Sequence, residues 1–239
     1  MTRSEGGRPT PPRLPPDLSS DPDLCLTAGC EVDHATIQGE FSAGHLEGLQ
    51  VEDSRIVGSS FTAADLSRLR LIDVVVEGSD FSGADMEEAS FTRVTFTDCR
   101  MSGALFPRAQ MRDVTFAEVR LNQVNFRMIE GERVVFDHAN LEQGEFYSAH
   151  LKSACFFDCD LSGADVSQVK LPGARFHGSV LSDIKGGEYL RDVVIETAQV
   201  LPLANGVFAA LNILVEDDRE ADVVSIASEE SSKPRNRPT

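Results

Sequence analysis

An apolar residue stands at every fifth position from Phe41 to Leu181, and that period excludes most folds at once. It is carried by Phe61, Leu66, Leu71, Val76, Phe81, Met86, Phe91 and Phe96, and continues through Phe116, Leu121 and Phe126. Gly131 breaks it once, after which Phe136, Leu141, Phe146 and Leu151 resume in the same phase. Helices repeat every 3.6 residues and strands every 2, so neither matches a period of five. The residue two places before each beat is small or aliphatic, as at Ala64, Ala84, Cys99, Ala104, Val114 and Ala149. A five-residue unit cannot bury its own apolar face. Copies must therefore stack into a solenoid.

Like residues also recur twenty apart, which sets the length of one coil. Phe96, Phe116, Phe136, Phe156 and Phe176 form one column; Phe106, Phe126 and Phe146 form another, and Phe41, Phe61 and Phe81 a third. Adjacent coils at the strand spacing of about 4.8 Å let successive rings pack in offset stacks. Each buried ring contributes roughly 1.5–3 kcal/mol. The small residue two places back fills the corners.

The stretches Ala64-Asp65-Leu66-Ser67, Ala84-Asp85-Met86, Ala139-Asn140-Leu141-Glu142 and Ala164-Asp165-Val166-Ser167 resemble the A-(D/N)-L-x-x signature of the pentapeptide-repeat family. The resemblance implies an all-β solenoid: a right-handed quadrilateral β-helix with one pentapeptide on each of four sides. Residues 208–217 are similar to the A-A-L-G-I-x-V-x-D ending of actinobacterial members, with Asn212 in place of Gly. Asn tolerates the left-handed conformation of a helix C-cap, so this departure is mild.

Four segments are expected. Residues 1–24, rich in Pro, Gly, Ser and Asp, read as a flexible tail. Residues 25–195 form the β-helix, beginning with an irregular coil in which Val32 and Ile37 lie one residue out of phase with Phe41. Either Gly39 absorbs that slip or the first coil is imperfect. Leu190 and Ile195 mark a last irregular coil. Residues 196–216 form a C-terminal capping helix and a short extended segment; Val200, Leu203, Ala204, Val207, Phe208 and Leu211 follow the helical period, with Thr197 as N-cap. Residues 217–239 turn acidic, then basic, and read as a second tail. At Gly131 a missing side chain is tolerated, or a bulge brings in Met128, or a partner uses the notch.

No catalytic chemistry is legible. The formal net charge of −17 argues against binding phosphate backbones or anionic membranes. No apolar run is long enough to span a membrane, and no apolar h-region follows the first Arg residues, so the expected location is the cytoplasm. His34, His45, His138, His150 and His177 are scattered, and no H-E-x-x-H, C-x-x-C or phosphate-binding Gly loop occurs. Cys99 and Cys159 fall at inward positions three coils apart, too far for a disulfide. The reading is a non-enzymatic chain without cofactor or metal.

Binding to a protein partner remains. The side centred on Leu46, Leu66, Met86, Phe106, Phe126, Phe146 and Val166 carries seven acids (Glu47, Asp65, Asp85, Glu87, Glu88, Glu145, Asp165) against three bases (Arg68, Arg108, Arg127). The next side, centred on Val51, Leu71, Phe91 and Met111, is balanced, and its outward Arg133 is expected to contribute well under ~1 kcal/mol to stability. Asp85, Glu87 and Glu88 are the candidate partner-binding residues. The resemblance implies an alternative: some members mimic duplex DNA and bind DNA gyrase or another type II topoisomerase, protecting it from quinolones or toxins. It also implies a homodimer through the C-terminal helix, with Phe208 and Leu214 as candidate contacts.

Overall fold

The computed structural model describes residues 8–20 and 24–213, and it is a parallel β-solenoid closed at one end by a short helix. In chain order the strands are β1 (Ser19–Ser20), β2 (Glu31–Asp33), β3 (Ala35–Ile37), β4 (Gln50–Val57), β5 (Arg70–Glu77) and β6 (Ser90–Thr97). They are followed by β7 (Gln110–Ala117), β8 (Glu130–Asp137), β9 (His150–Lys152), β10 (Cys155–Phe157), β11 (Arg175–His177) and β12 (Val194–Ile195). From β4 through β11 the main run of strands pairs in parallel coil on coil in a twenty-residue register, as in Phe96↔Phe116↔Phe136↔Phe156↔Phe176, with β9 pairing β8 beside it.

The four sides differ because their sequences do. On the sides centred on Phe61 and Leu66, the residue before the beat is often Asp or Asn, and its carboxylate or amide oxygen accepts the backbone N–H two residues on. Asp65, Asp80, Asp85, Asn125, Asn140, Asp160 and Asp165 all do so, at 2.9–3.1 Å. These bonds stabilise tight turns, and the sides touch their neighbours through single bridges such as Asp65↔Asp85. On the other two sides the same position holds Arg70, Ser90, Gln110, Val75, Thr95 or Thr115. There, continuous eight-residue strands wrap from the third side onto the fourth. The backbone turns left-handed two residues after each beat, whether the residue is Gly78 or Gly83, or Asp73, Glu88, Arg93, Arg108 or Arg133.

Inside, the phenylalanine columns stack as the period demands. Neighbouring rings from Phe96 to Phe176 lie 4.6–5.1 Å apart and within 10° of parallel. The Phe106–Phe126–Phe146 column is tilted by 38–44° and meets the first column at its ring edges. At the small-residue corner, Ser59, Ser79 and Ser179 donate their hydroxyls to carbonyls of their own or the preceding coil. Cys99 and Cys159 occupy the same column, and burial pushes both thiols up to about 11. At pH 8 a thiol reagent should modify exposed Cys25 in the native chain and reach Cys99 and Cys159 only after denaturation. Equal rates at all five cysteines would contradict their burial.

The irregular ends are explained residue by residue. Ile37 pairs Ile56, nineteen residues on, whereas Glu40 bridges Ser60, so the slip lies between them and Gly39 absorbs it. A Cβ at Gly39 would lie 2.9 Å from the Phe41 ring. At the other end Ile195 stacks on Phe176, again nineteen residues on. At Gly131 there is no bulge: Met111↔Gly131↔Leu151 keeps register, Leu151 fills the missing volume, and Met128 stays exposed.

The helix α1 (Val200–Ala210) is preceded by a 3-10 turn over Thr197–Gln199. Its N-cap is Glu196, not Thr197. Glu196 and Gln199 exchange side chain–backbone bonds as a capping box, which a reading by residue preference alone passes over. At the other end Asn212 takes the left-handed conformation and Ile213 N–H bonds Phe208 C=O, a Schellman closure. The packed stripe is narrower than the apolar period implied. Leu203 and Val207 rest on Gly187, and Gly206 approaches the Ile184 carbonyl, while Val200 and Leu211 stay exposed.

Residues 8–20 do not stand free of the solenoid. Thr10 N–H donates to Asp113 Oδ1 and Arg13 N–H to Asp73 Oδ1, each at 3.0 Å, and Ser19–Ser20 pair with Ala35–Thr36. This strap therefore runs along the corner between the third and fourth sides, opposite to the direction in which coils are added. A flexible tail was the expectation from composition; the hydrogen-bond acceptors that hold it lie 60 and 103 residues away in sequence.

Candidate functional site

The acidic side is built on the turns described above, so its residues divide by task. Asp85 is half-buried and its Oδ1 caps the turn at Glu87 N–H, 3.0 Å away. Glu87 and Glu88 follow it onto the corner, and Arg108 from the next coil reaches both, with Nε 3.3 Å from Glu88 Oε1. The structure thus brings Glu87 and Glu88 together on one guanidinium. Arg68 pairs with Glu47 one coil below, and Arg127 lies 3.7 Å from Glu145 and over the Tyr147 ring. All three bases of this side are engaged by its own acids, and the acids remain in excess.

The neighbouring side carries a different arrangement. Its corner column reads Asp53, Asp73, Arg93, Asp113, Arg133. Arg93 clasps Asp73 with Nε 2.7 Å from Oδ1 and Nη2 on Oδ2. Arg133 clasps Asp113 in the same way, at 2.7 and 2.9 Å. The two carboxylates are 9% and 7% exposed. Hydrogen bonds from the paired guanidinium hold each below the usual carboxylate range, against the opposing effect of burial. Arg133 is consequently no dispensable surface residue, contrary to the reading from its outward position. The trough over Gly131 is flanked by Arg112, Glu132 and Lys152, whose charges pair across coils.

Stacking also places Asp33, His34 and Asp53 with their donor atoms within 4.8 Å of one another. Sequence spacing hid this grouping because Asp53 belongs to the next coil. It is solvated, with Asp33 and His34 exposed and bonded to each other at 2.5 Å. Phe208 is exposed on α1, as are Leu201 within the helix and Leu211 and Ile213 just after it, whereas Leu214 lies outside the described residues. Among the described residues no helix is long and apolar enough to cross a membrane.

Two sequence profiles match. One described as pentapeptide repeats (9 copies) covers residues 56–105. Another described as pentapeptide repeats (8 copies) covers residues 89–127, 132–165 and 159–183. Together they span more than half of the chain. No curated protein sequence matches it. Similar solved structures include a trypsin-treated form of QnrB1, a plasmid-mediated fluoroquinolone resistance protein, at 21% identity over 84% of this chain and 97% of that one, with a TM-score of 0.37. HetL, a pentapeptide repeat protein involved in heterocyst differentiation regulation from the cyanobacterium Nostoc sp. strain PCC 7120, shows 18% identity over 70% of this chain and 87% of its own, with a TM-score of 0.30. Rfr23 from the cyanobacterium Cyanothece 51142 shows 14% identity over 71% and 90%, with a TM-score of 0.20.

Proposed function

Because the chain belongs to the pentapeptide-repeat family, we propose that it is a rigid, non-enzymatic rod that binds a protein partner with a basic surface through its acidic side. The observation that supports this reading is the excess of acids on the side bearing Asp85, Glu87 and Glu88, whose three arginines are already engaged within the side. Because the turn fixes the Asp85 carboxylate and Arg108 holds those of Glu87 and Glu88, less side-chain order need be lost on binding. DNA gyrase is the named alternative, since a DNA-mimicking rod would present the same acidic side to a DNA-binding surface.

The test changes charge without removing the turn cap. Asp85→Asn keeps the cap, as Asn125 and Asn140 already do in other coils. Combined with Glu87→Lys and Glu88→Lys, it should lower partner retention at least tenfold in parallel affinity capture. Binding to the unaltered chain should fall steeply between about 0.05 and 0.3 M salt, as screening shortens the Debye length. Identical retained proteins on both chains would contradict the reading. Supercoiling of relaxed plasmid by gyrase separates the alternative: inhibition by the unaltered chain and not by the triple variant favours gyrase, and no inhibition leaves another basic protein.

A homodimer through α1 is the second contact proposed. Val200, Leu201, Phe208, Leu211 and Ile213 leave more apolar surface exposed than an isolated cap requires, Leu201 at 71%. Light scattering should give twice the monomer mass for the unaltered chain and the monomer mass for Phe208→Ser with Leu214→Ser. A monomeric unaltered chain at about ten micromolar, roughly the range where a weak interface of −7 kcal/mol still associates, would rule the contact out.

A further inference from the structure

We propose that the corner carrying Asp73, Arg93, Asp113 and Arg133 is a docking site for a polyproline-type peptide from a second protein, and that residues 9–16 occupy it as a tethered competitor. The inference is independent of the acidic side and of any dimer. Its first support is a match of two periods. A polyproline II chain advances about 3.1 Å per residue, so three residues cover about 9.3 Å. Two coils at the strand spacing of about 4.8 Å cover about 9.6 Å. Thr10 and Arg13 are three residues apart, Asp113 and Asp73 two coils apart, and both N–H···O distances are 3.0 Å.

The second support is the chemistry at each contact. In Thr10-Pro11-Pro12-Arg13 the two central prolines have no N–H, so the donors are confined to the ends of the motif, where the acceptors stand. Each acceptor is a nearly buried carboxylate oriented by a two-pronged arginine from the following coil. The corner column alternates Asp73, Arg93, Asp113, Arg133, so Asp–Arg couples repeat every two coils, the spacing that a three-residue helical peptide reads. Neither the core nor the coil register needs this alternation: the equivalent corner one coil earlier is Asp53 and the one after Arg133 is Ser153.

The third support is that the strap is held lightly. Every described residue from 8 to 20 is exposed or half-buried, none enters the core, and what holds it is two carboxylate bonds, a two-residue bridge and the Ser19 hydroxyl donating to the His34 carbonyl. Segments with few buried contacts open with small free energies, so a peptide can exchange with this one. A polyproline peptide also loses little conformational freedom on docking, which is why such segments are recurrent recognition elements.

The experiment uses the full chain and a fluorescein-labelled peptide of its own residues 8–18. In a chain carrying Thr10→Pro and Arg13→Pro, the strap stays proline-rich and loses both donors. That chain should bind the peptide at least tenfold more tightly than the unaltered one, because a tethered strap competes at an effective concentration in the millimolar range. An unlabelled peptide with proline at both donor positions should fail to compete. Adding Asp73→Asn and Asp113→Asn to the same chain should weaken binding at least fivefold, with an unchanged far-ultraviolet circular dichroism spectrum verifying the fold. No anisotropy change up to 1 mM peptide would overturn the proposal. So would equal competition by the donor-free peptide, or equal binding by the unaltered chain.

Discussion

Phe136→Ala is expected to destabilise the solenoid by about 3–5 kcal/mol, the range for emptying a buried aromatic site. The ring is fully buried, lies 5.1 Å from Phe116 and 5.0 Å from Phe156, and meets Phe126 at 5.9 Å. Removing it therefore strips contacts from three neighbours at once. The coil cannot collapse to refill the space, because β8 is held in register by β7 and β10 on its two flanks. The control is Arg112→Ala, whose side chain is well exposed and 3.9 Å from its nearest carboxylate; it should cost under ~0.5 kcal/mol. Urea titration of both decides the matter, and equal losses would show that Phe136 does not face the core.

Arg133→Ala is expected to cost roughly 2–3 kcal/mol, much more than a surface substitution. It leaves the Asp113 carboxylate, 7% exposed, with the Thr10 N–H as its remaining partner. The loss falls below that of breaking a fully enclosed pair because Arg133 is itself 26% exposed. The pH dependence follows from the lowered pKa of Asp113. A carboxylate whose native pKa is depressed stabilises the fold above its unfolded value near 4, and that stabilisation is lost as pH falls through the native value. The urea midpoint of the unaltered chain should therefore drop between about pH 4 and the acid limit, and the drop should be smaller in Arg133→Ala, where the guanidinium no longer depresses Asp113. A pH-independent difference between the two chains would contradict the pairing.

What the sequence shows plainly is whatever repeats. The beat at Phe61, Leu66 and Leu71, the columns twenty apart, and the inward Cys99 and Cys159 all follow from one period, and the structure places them accordingly. Position within the beat does not reveal pairing across coils. Arg133 looked outward and dispensable because its partner, Asp113, lies a full coil earlier. The strap was hidden for the same reason: Pro11, Pro12, Pro15 and Pro16 suggest an unstructured segment until the distant carboxylates of Asp73 and Asp113 are known. A signal was present in the alternation of Asp73, Arg93, Asp113 and Arg133 at twenty-residue intervals, since a solvated corner has no need of it. The N-cap was misplaced at Thr197 because side-chain preference favours Thr, whereas the reciprocal bonds of Glu196 and Gln199 decide it. The acidic residues Asp85, Glu87 and Glu88 were legible as a patch; the engagement of Arg108 by two of them required the fold.

The twenty-residue coil underlies the phenylalanine columns, the paired corner and the match to the strap, and one distance tests it. Arg55 and Arg175 stand in a single column, linked by six successive register steps through Val75, Thr95, Thr115, Val135 and Cys155. Spin labels at Arg55→Cys and Arg175→Cys, in a chain whose Cys25, Cys30 and Cys155 are changed to Ser, report their separation by double electron–electron resonance. Six coils at about 4.8 Å predict one narrow distance with a backbone separation of about 29 Å. A three-sided coil of fifteen residues would place the same positions about 38 Å apart at that spacing. A peak there, or a broad distribution without a peak near the first value, would contradict the four-sided solenoid.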